Sequence, residues 1–200
     1  MNSIRLVYVS EAVPDQLIEE FVETISTPEL TPIVERVEKF PFQAGIEWLA
    51  PTALIVYIAK PYFEAFLSEM GKDHYALLKN ALKTVANRLL GRSGPKVRIV
   101  SGSRVRGANN YSMAFSIYVV VNEDLNLKLL FPLNLTTEEI HEAIEAYTDF
   151  IENLYLGNIN QDIMDKLKDG RVFGRTMLIA YDFEKKILEP ISPIPNNVHK

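Results

Sequence analysis

Apolar positions recur along this chain with two different periods, and the changes of period mark out its elements. Residues 4–9 are a short run rich in Val, Ile and Tyr, as a strand requires. Pro14 and Asp15 then open a helix. Leu17, Ile18, Phe21, Val22 and Ile25 share one side of it, and Glu19, Glu20 and Glu23 the other. Ser26, Thr27 and Pro28 close it. Ile33, Val34, Val37 and Phe40 fit a helix face, but their valine content and the flanking prolines favour a strand over 33–40. From Pro51 to about residue 90 the pattern predicts a long apolar helical segment, broken near 60 and 71. Pro61 suits a first helical position, and Tyr75, Leu78, Leu82, Val85 and Leu89 continue one stripe.

The period then shortens. Residues 96–100, 112–121 and 126–131 read as three strands. In the second, Met113, Phe115, Ile117, Val119 and Val121 alternate with Ser112, Ala114, Ser116, Tyr118 and Val120. Thr136 and Glu139 have the spacing of a capping box, in which each side chain satisfies the other's free backbone donor. The helix they start has Ile140, Ala143, Ile144, Tyr147, Ile151, Leu154 and Tyr155 on one face and mostly carboxylates elsewhere. A short helix over 160–168 and a hairpin of 176–183 with 187–191 complete the pattern, and an extended tail rich in proline follows.

Strands and helices do not alternate regularly. The prediction is therefore an α+β fold: a mainly antiparallel sheet covered by helices, with the helical segment at about 51–90 as an added layer. One domain over 1–200 is expected. Within it, 1–45 form a β-α-β-like unit, 46–90 the helical segment and 96–191 a sheet with helices.

Composition narrows the chemistry. Cysteine is absent, which excludes disulfides, thiolate metal sites and cysteine nucleophiles. The N-terminus lacks a basic segment followed by a long apolar one, and the most apolar run, 49–59, is interrupted by Pro51 and Thr52 and too short to span a bilayer. A soluble, cytoplasmic protein is the expectation. There is no Gly-x-Ser-x-Gly elbow. His141 and Glu145 lie four apart on a helix, a spacing that more often makes a surface pair than a metal site. No catalytic residue, metal or cofactor is expected.

Charge is where the chain departs from the ordinary. Residues 74–122 contain no acidic residue but carry Lys79, Lys83, Arg88, Arg92, Lys96, Arg98, Arg104 and Arg106, while the whole chain is −5. Such a window calls for an anionic partner, either outside the molecule or within it. The loop from Ser101 to Tyr111 has the chemistry of an anion site. Arg104 and Arg106 can each bind a phosphate or carboxylate with two hydrogen bonds, and Ser101, Ser103 and Asn109 add neutral ones. Lys96 and Arg98 precede it. The loop fails the P-loop test, because Ala108 stands where lysine is needed and a strand follows instead of a helix. The plain alternative is a solvated hairpin tip. For Lys79, Lys83, Arg88 and Arg92 the alternative is pairing with the acidic helix 138–152.

Two further surfaces come from pattern alone. Tyr118 and Lys128 are expected on one sheet face with Lys96 and Arg98, an aromatic and basic combination that some modules use to stack bases. The short motifs of the common RNA-binding sheet are missing, and a pI near 5.3 disfavours nucleic acid. Trp48, Tyr57, Tyr62, Phe63 and Phe66 give 46–70 a heavy aromatic load, suited to docking a partner or equally to a core. The sequence thus favours a non-enzymatic binding or assembly protein that engages an acidic protein partner or itself. A small phosphate or carboxylate ligand of the 101–111 loop is the alternative. A third reading attaches 46–106 to an anionic membrane; it is not favoured, because the few charges of 46–70 are mostly glutamates and not the Lys and Arg of membrane-surface helices.

Overall fold

The run Leu54-Ile55-Val56-Tyr57-Ile58 forms an interior strand, not part of the helix that the pattern over 51–90 predicts. All five residues are buried, so the strand has no polar positions to alternate with and leaves no period of two in the sequence. The computed structural model describes residues 3–38, 52–66, 71–95, 97, 100–101, 104–105, 110–158 and 172–191. Their elements, in chain order, are β1 (Ile4–Val9), α1 (Asp15–Ile25), β2 (Ile33–Val37), β3 (Leu54–Ile58), α2 (Lys60–Phe66), α3 (Gly71–Leu90), β4 (Val100–Ser101), β5 (Arg104–Val105), β6 (Tyr111–Val120), β7 (Asn126–Pro132), α4 (Thr137–Tyr155), β8 (Val172–Phe173), β9 (Thr176–Asp182) and β10 (Ile187–Ile191).

The sheet is mixed, which corrects the mainly antiparallel one expected. Its strands lie in the order β10-β9-β7-β6-β3-β1-β2, with β8 paired to β9. The pairs β1–β2, β3–β6 and β7–β9 are parallel; β1–β3, β6–β7 and β9–β10 are antiparallel. The reason lies in the connections. Each parallel pair is bridged by helix (α1, then α2 with α3, then α4), and a helical crossover returns the chain to the end from which the first strand started. The short turns after β6 and β9 only reverse it. Helices α1, α3 and α4 pack on one another and share one core with the sheet. The strands β1 and β7 point the same way, yet their crossovers step in opposite directions along the sheet, so the α1 and α4 crossovers have opposite hands.

Register lines up residues in rows across all seven strands of the main path. One row, Val34, Leu6, Val56, Ile117, Leu129, Ile179 and Pro190, runs under the helices. Its interior members pack with Leu17, Leu82 and Ile144. The next row faces the other way: Ile33, Arg5, Tyr57, Tyr118, Lys128, Leu178 and Ile191.

Other expectations can be placed directly. The capping box is present: Thr136 Oγ1 accepts from the Glu139 amide at 3.2 Å, and Glu139 Oε2 accepts from the Thr136 amide at 2.7 Å. The segment 33–37 is a strand, and β6, β7, β9 and β10 fall where alternation predicts them. Of the predicted strand 96–100, residues 96, 98 and 99 lie outside the described residues. Val100 belongs to β4, which among the described residues pairs only with β5, in a separate two-stranded ribbon. The predicted helix 160–168 and the proline-rich tail beyond residue 191 lie outside the described residues.

Candidate functional site

Helix α3 presents its basic residues one turn apart, and α4 runs antiparallel to it with partners at the same spacing. Lys79 Nζ donates to Asp149 Oδ1 at 2.5 Å and lies 3.7 Å from Glu145 Oε2. One turn on, Lys83 donates to Glu145 Oε1. One turn further, Asn87 Nδ2 donates to His141 Nε2 at 2.6 Å. The two lysines hold the Glu145 carboxyl below the usual carboxylate range, the hydrogen bond from Lys83 being the largest cause. On the other flank of α3, Arg88 Nη1 meets Glu20 Oε2 of α1 at 2.8 Å. Three of the eight cations in the acid-free window are therefore neutralised by carboxylates encoded elsewhere in the chain. His141 and Glu145, considered above as metal ligands, are committed to Asn87 and to the two lysines.

The remaining cations follow α3. Arg92 is exposed and makes no ion pair among the described residues. Ser101 and Arg104 stand opposite each other in the ribbon β4–β5. Lys96, Arg98, Ser103, Arg106 and Asn109 lie outside the described residues, as do the side chains of Ser101 and Arg104.

The aromatic residues of 46–70 divide differently. Tyr62 and Phe63 are core residues: Phe63 stacks on Tyr155 with ring centres 4.4 Å apart, and the Tyr62 hydroxyl lies 3.0 Å from His74 Nδ1. His74 Nε2 donates to the Ile25 carbonyl at 2.8 Å, tying the end of α1 to α3. Tyr57 is also buried, on the opposite face of the sheet. Phe66 contributes its backbone to α2, its side chain being outside the described residues, as is all of Trp48.

That opposite face holds the feature which the sequence pattern marks least. Tyr118 and Lys128 do share it, as predicted, and they stand directly opposite each other. Arg5 lies over the Tyr57 ring at 4.4 Å, the Tyr57 and Tyr118 ring centres are 4.8 Å apart, and the Tyr118 hydroxyl lies 3.0 Å from Thr176 Oγ1. A second buried polar pair, Thr52 Oγ1 with Ser116 Oγ at 2.6 Å, belongs to the same face. Lys128 is fully buried, and loss of hydration pushes its ammonium pKa down to about 7. An amine of that kind is part neutral at neutral pH and has the electronic character of a base or nucleophile, although its burial closes it to solvent. The only trace in the sequence is one lysine within the apolar run Leu127-Lys128-Leu129-Leu130-Phe131.

Among the described residues, no helix is long and apolar enough to cross a membrane, and no three His, Asp or Glu side chains gather as a metal site would require. No family model, no curated protein and no solved structure matches the chain.

Proposed function

We propose that this chain is a binding protein that engages an acidic partner through the basic segment 92–106. One observation carries the reading. Glu20, Glu145 and Asp149 neutralise Arg88, Lys79 and Lys83, so the window's charge is not simply dispersed over its length. What is left, Arg92, Lys96, Arg98, Arg104 and Arg106, is concentrated in 15 residues that contain no carboxylate. Like charges packed so closely repel one another, and a partner that neutralises them relieves that repulsion. The ribbon β4–β5 supports the reading further. Among the described residues it pairs with no strand of the main sheet, so the sheet's own hydrogen bonding does not depend on it.

The test is a calorimetric titration with poly-L-glutamate at about 0.05 M and about 0.3 M salt. Binding weakens at the higher salt. Arg104→Ala combined with Arg106→Ala weakens it at least roughly tenfold, the order expected for losing charge-assisted hydrogen bonds. Lys79→Ala combined with Lys83→Ala leaves it unchanged, because those lysines are already engaged. Absence of binding, or loss through the Lys79 and Lys83 pair alone, overturns the proposal. Inorganic phosphate in place of the polymer tests the small-anion alternative at the same arginines, and vesicles containing phosphatidylserine test the membrane one.

A further inference from the structure

We propose that Asn110 and Asn134 carry N-linked glycans, side by side at one end of the main sheet. The inference is independent of the binding function proposed above.

The pattern Asn-x-Ser/Thr, with x other than proline, marks an asparagine whose side-chain amide can accept a glycan. Two asparagines of this chain stand in it: Asn110-Tyr111-Ser112 and Asn134-Leu135-Thr136. With 13 Asn and 19 Ser or Thr in 200 residues, about one such triplet arises from composition alone, so their number decides little. Their placement carries the argument. A glycan is bulky and hydrated and needs an asparagine at the surface. Both of these are exposed, and neither side chain is engaged in a hydrogen bond among the described residues. Asn87, Asn122 and Asn153, which lie outside the pattern, spend their side chains on His141, on the amides of Asp124 and Leu125, and on the Asp149 carbonyl.

The fold brings the two triplets together. Asn110 precedes β6 and Asn134 follows β7, and these strands are antiparallel neighbours, with Tyr111 paired to Pro132. The Leu133 amide donates to the Asn110 carbonyl at 3.1 Å. Asn134 sits in the turn before α4 with a φ of 62°, which asparagine tolerates better than most residues. Two glycans here leave the core and the α3–α4 seam untouched. In the folded chain the hydroxyls of both triplets are occupied: Ser112 Oγ accepts from the Ala114 amide and Thr136 Oγ1 from the Glu139 amide. Transfer therefore precedes the closing of these contacts, while the chain is still folding. In the transfer, Nδ2 of the asparagine bonds to the anomeric carbon of the sugar and loses one proton. The bond from that carbon to the phosphate of a lipid-linked oligosaccharide breaks, and the lipid phosphate leaves with the electron pair. A membrane-bound transferase supplies the donor and the catalysis. The inference thus sets the folded chain outside the cytoplasm that its N-terminal sequence leads one to expect.

Peptide mass spectrometry of the full chain, isolated from the cells that make it, tests this. Trypsin cuts after Lys128 and separates 107–128, which holds Asn110, from 129–166, which holds Asn134. Both peptides are expected to carry added mass that fragments as sugar. Asn110→Gln and Asn134→Gln, expressed in the same cells, each remove the added mass from their own peptide alone. Thr136→Ser keeps the mass on 129–166, because the pattern survives, whereas Thr136→Ala removes it. Unmodified mass on both peptides overturns the inference. Added mass on one peptide alone overturns it for the other asparagine, and added mass that persists in Asn134→Gln overturns it for Asn134.

Discussion

Lys128 stands directly opposite Tyr118 across the β6–β7 pair, and both are inside the protein. The amine keeps a pKa of about 7 when folded, against 10.5 for an ordinary lysine, because burial strips its water. The unfolded chain therefore binds that proton more tightly between these values, and stability rises with pH across the window. Below about pH 7 the amine is charged in both states and the whole cost of burying the charge is present. Lys128→Met should therefore raise the unfolding free energy at pH 6–7 by roughly 2–4 kcal/mol. It should also flatten the climb in stability expected of the wild type from pH 7 to 9.5 in urea titrations. A variant as pH-dependent as the wild type would show that Lys128 is not the group responsible.

The α3–α4 seam titrates with the opposite sense. Glu145 is held below its usual pKa by Lys83 and Lys79. Its contribution is present near neutrality and is lost as pH falls through the folded value. The side chain is 45% exposed, so solvent screens the pair and the worth of the interaction is at most about 1 kcal/mol. Glu145→Gln should lower stability by that amount at pH 7 and by nothing in strong acid, with 1 M salt shrinking the difference.

His74 joins the Ile25 carbonyl at the end of α1 to the Tyr62 hydroxyl, all within the core. His74→Leu leaves both groups buried without that partner, at a cost of about 2–3 kcal/mol. Chemical denaturation should show the loss, and exchange of the amides in the last turn of α1 should quicken more than that of α4.

The capping box makes a purely local prediction. Thr136→Ala removes the acceptor for the Glu139 amide and should cost about 1 kcal/mol, independent of pH above 5. Thr136→Ser should recover most of it.

Local rules reached the elements whose signals are local. Thr136 with Glu139, the alternation from Ser112 to Val121, and the stripe Leu17, Ile18, Phe21 and Ile25 each carry their own instruction in covalent neighbours, and the structure follows them. The run 54–58 carried none. An apolar stretch that will be covered on both sides reads alike as strand or helix, and only pairing with β1 and β6 settles it. Strand direction was equally hidden, because it depends on which connections cross the sheet as helices. The candidate site divided along the same line. That the window 74–122 is basic belongs to the sequence alone. That Lys79, Lys83 and Arg88 meet Glu145, Asp149 and Glu20 depends on helices encoded up to 70 residues apart packing side by side. The sequence thus determined the local periods, the caps and the charge asymmetry, which arise between near neighbours in the chain. Only the tertiary structure decided which charges cancel, in what order and direction the strands pair, and that Lys128 is buried opposite Tyr118, because burial and pairing are properties of neighbours in space.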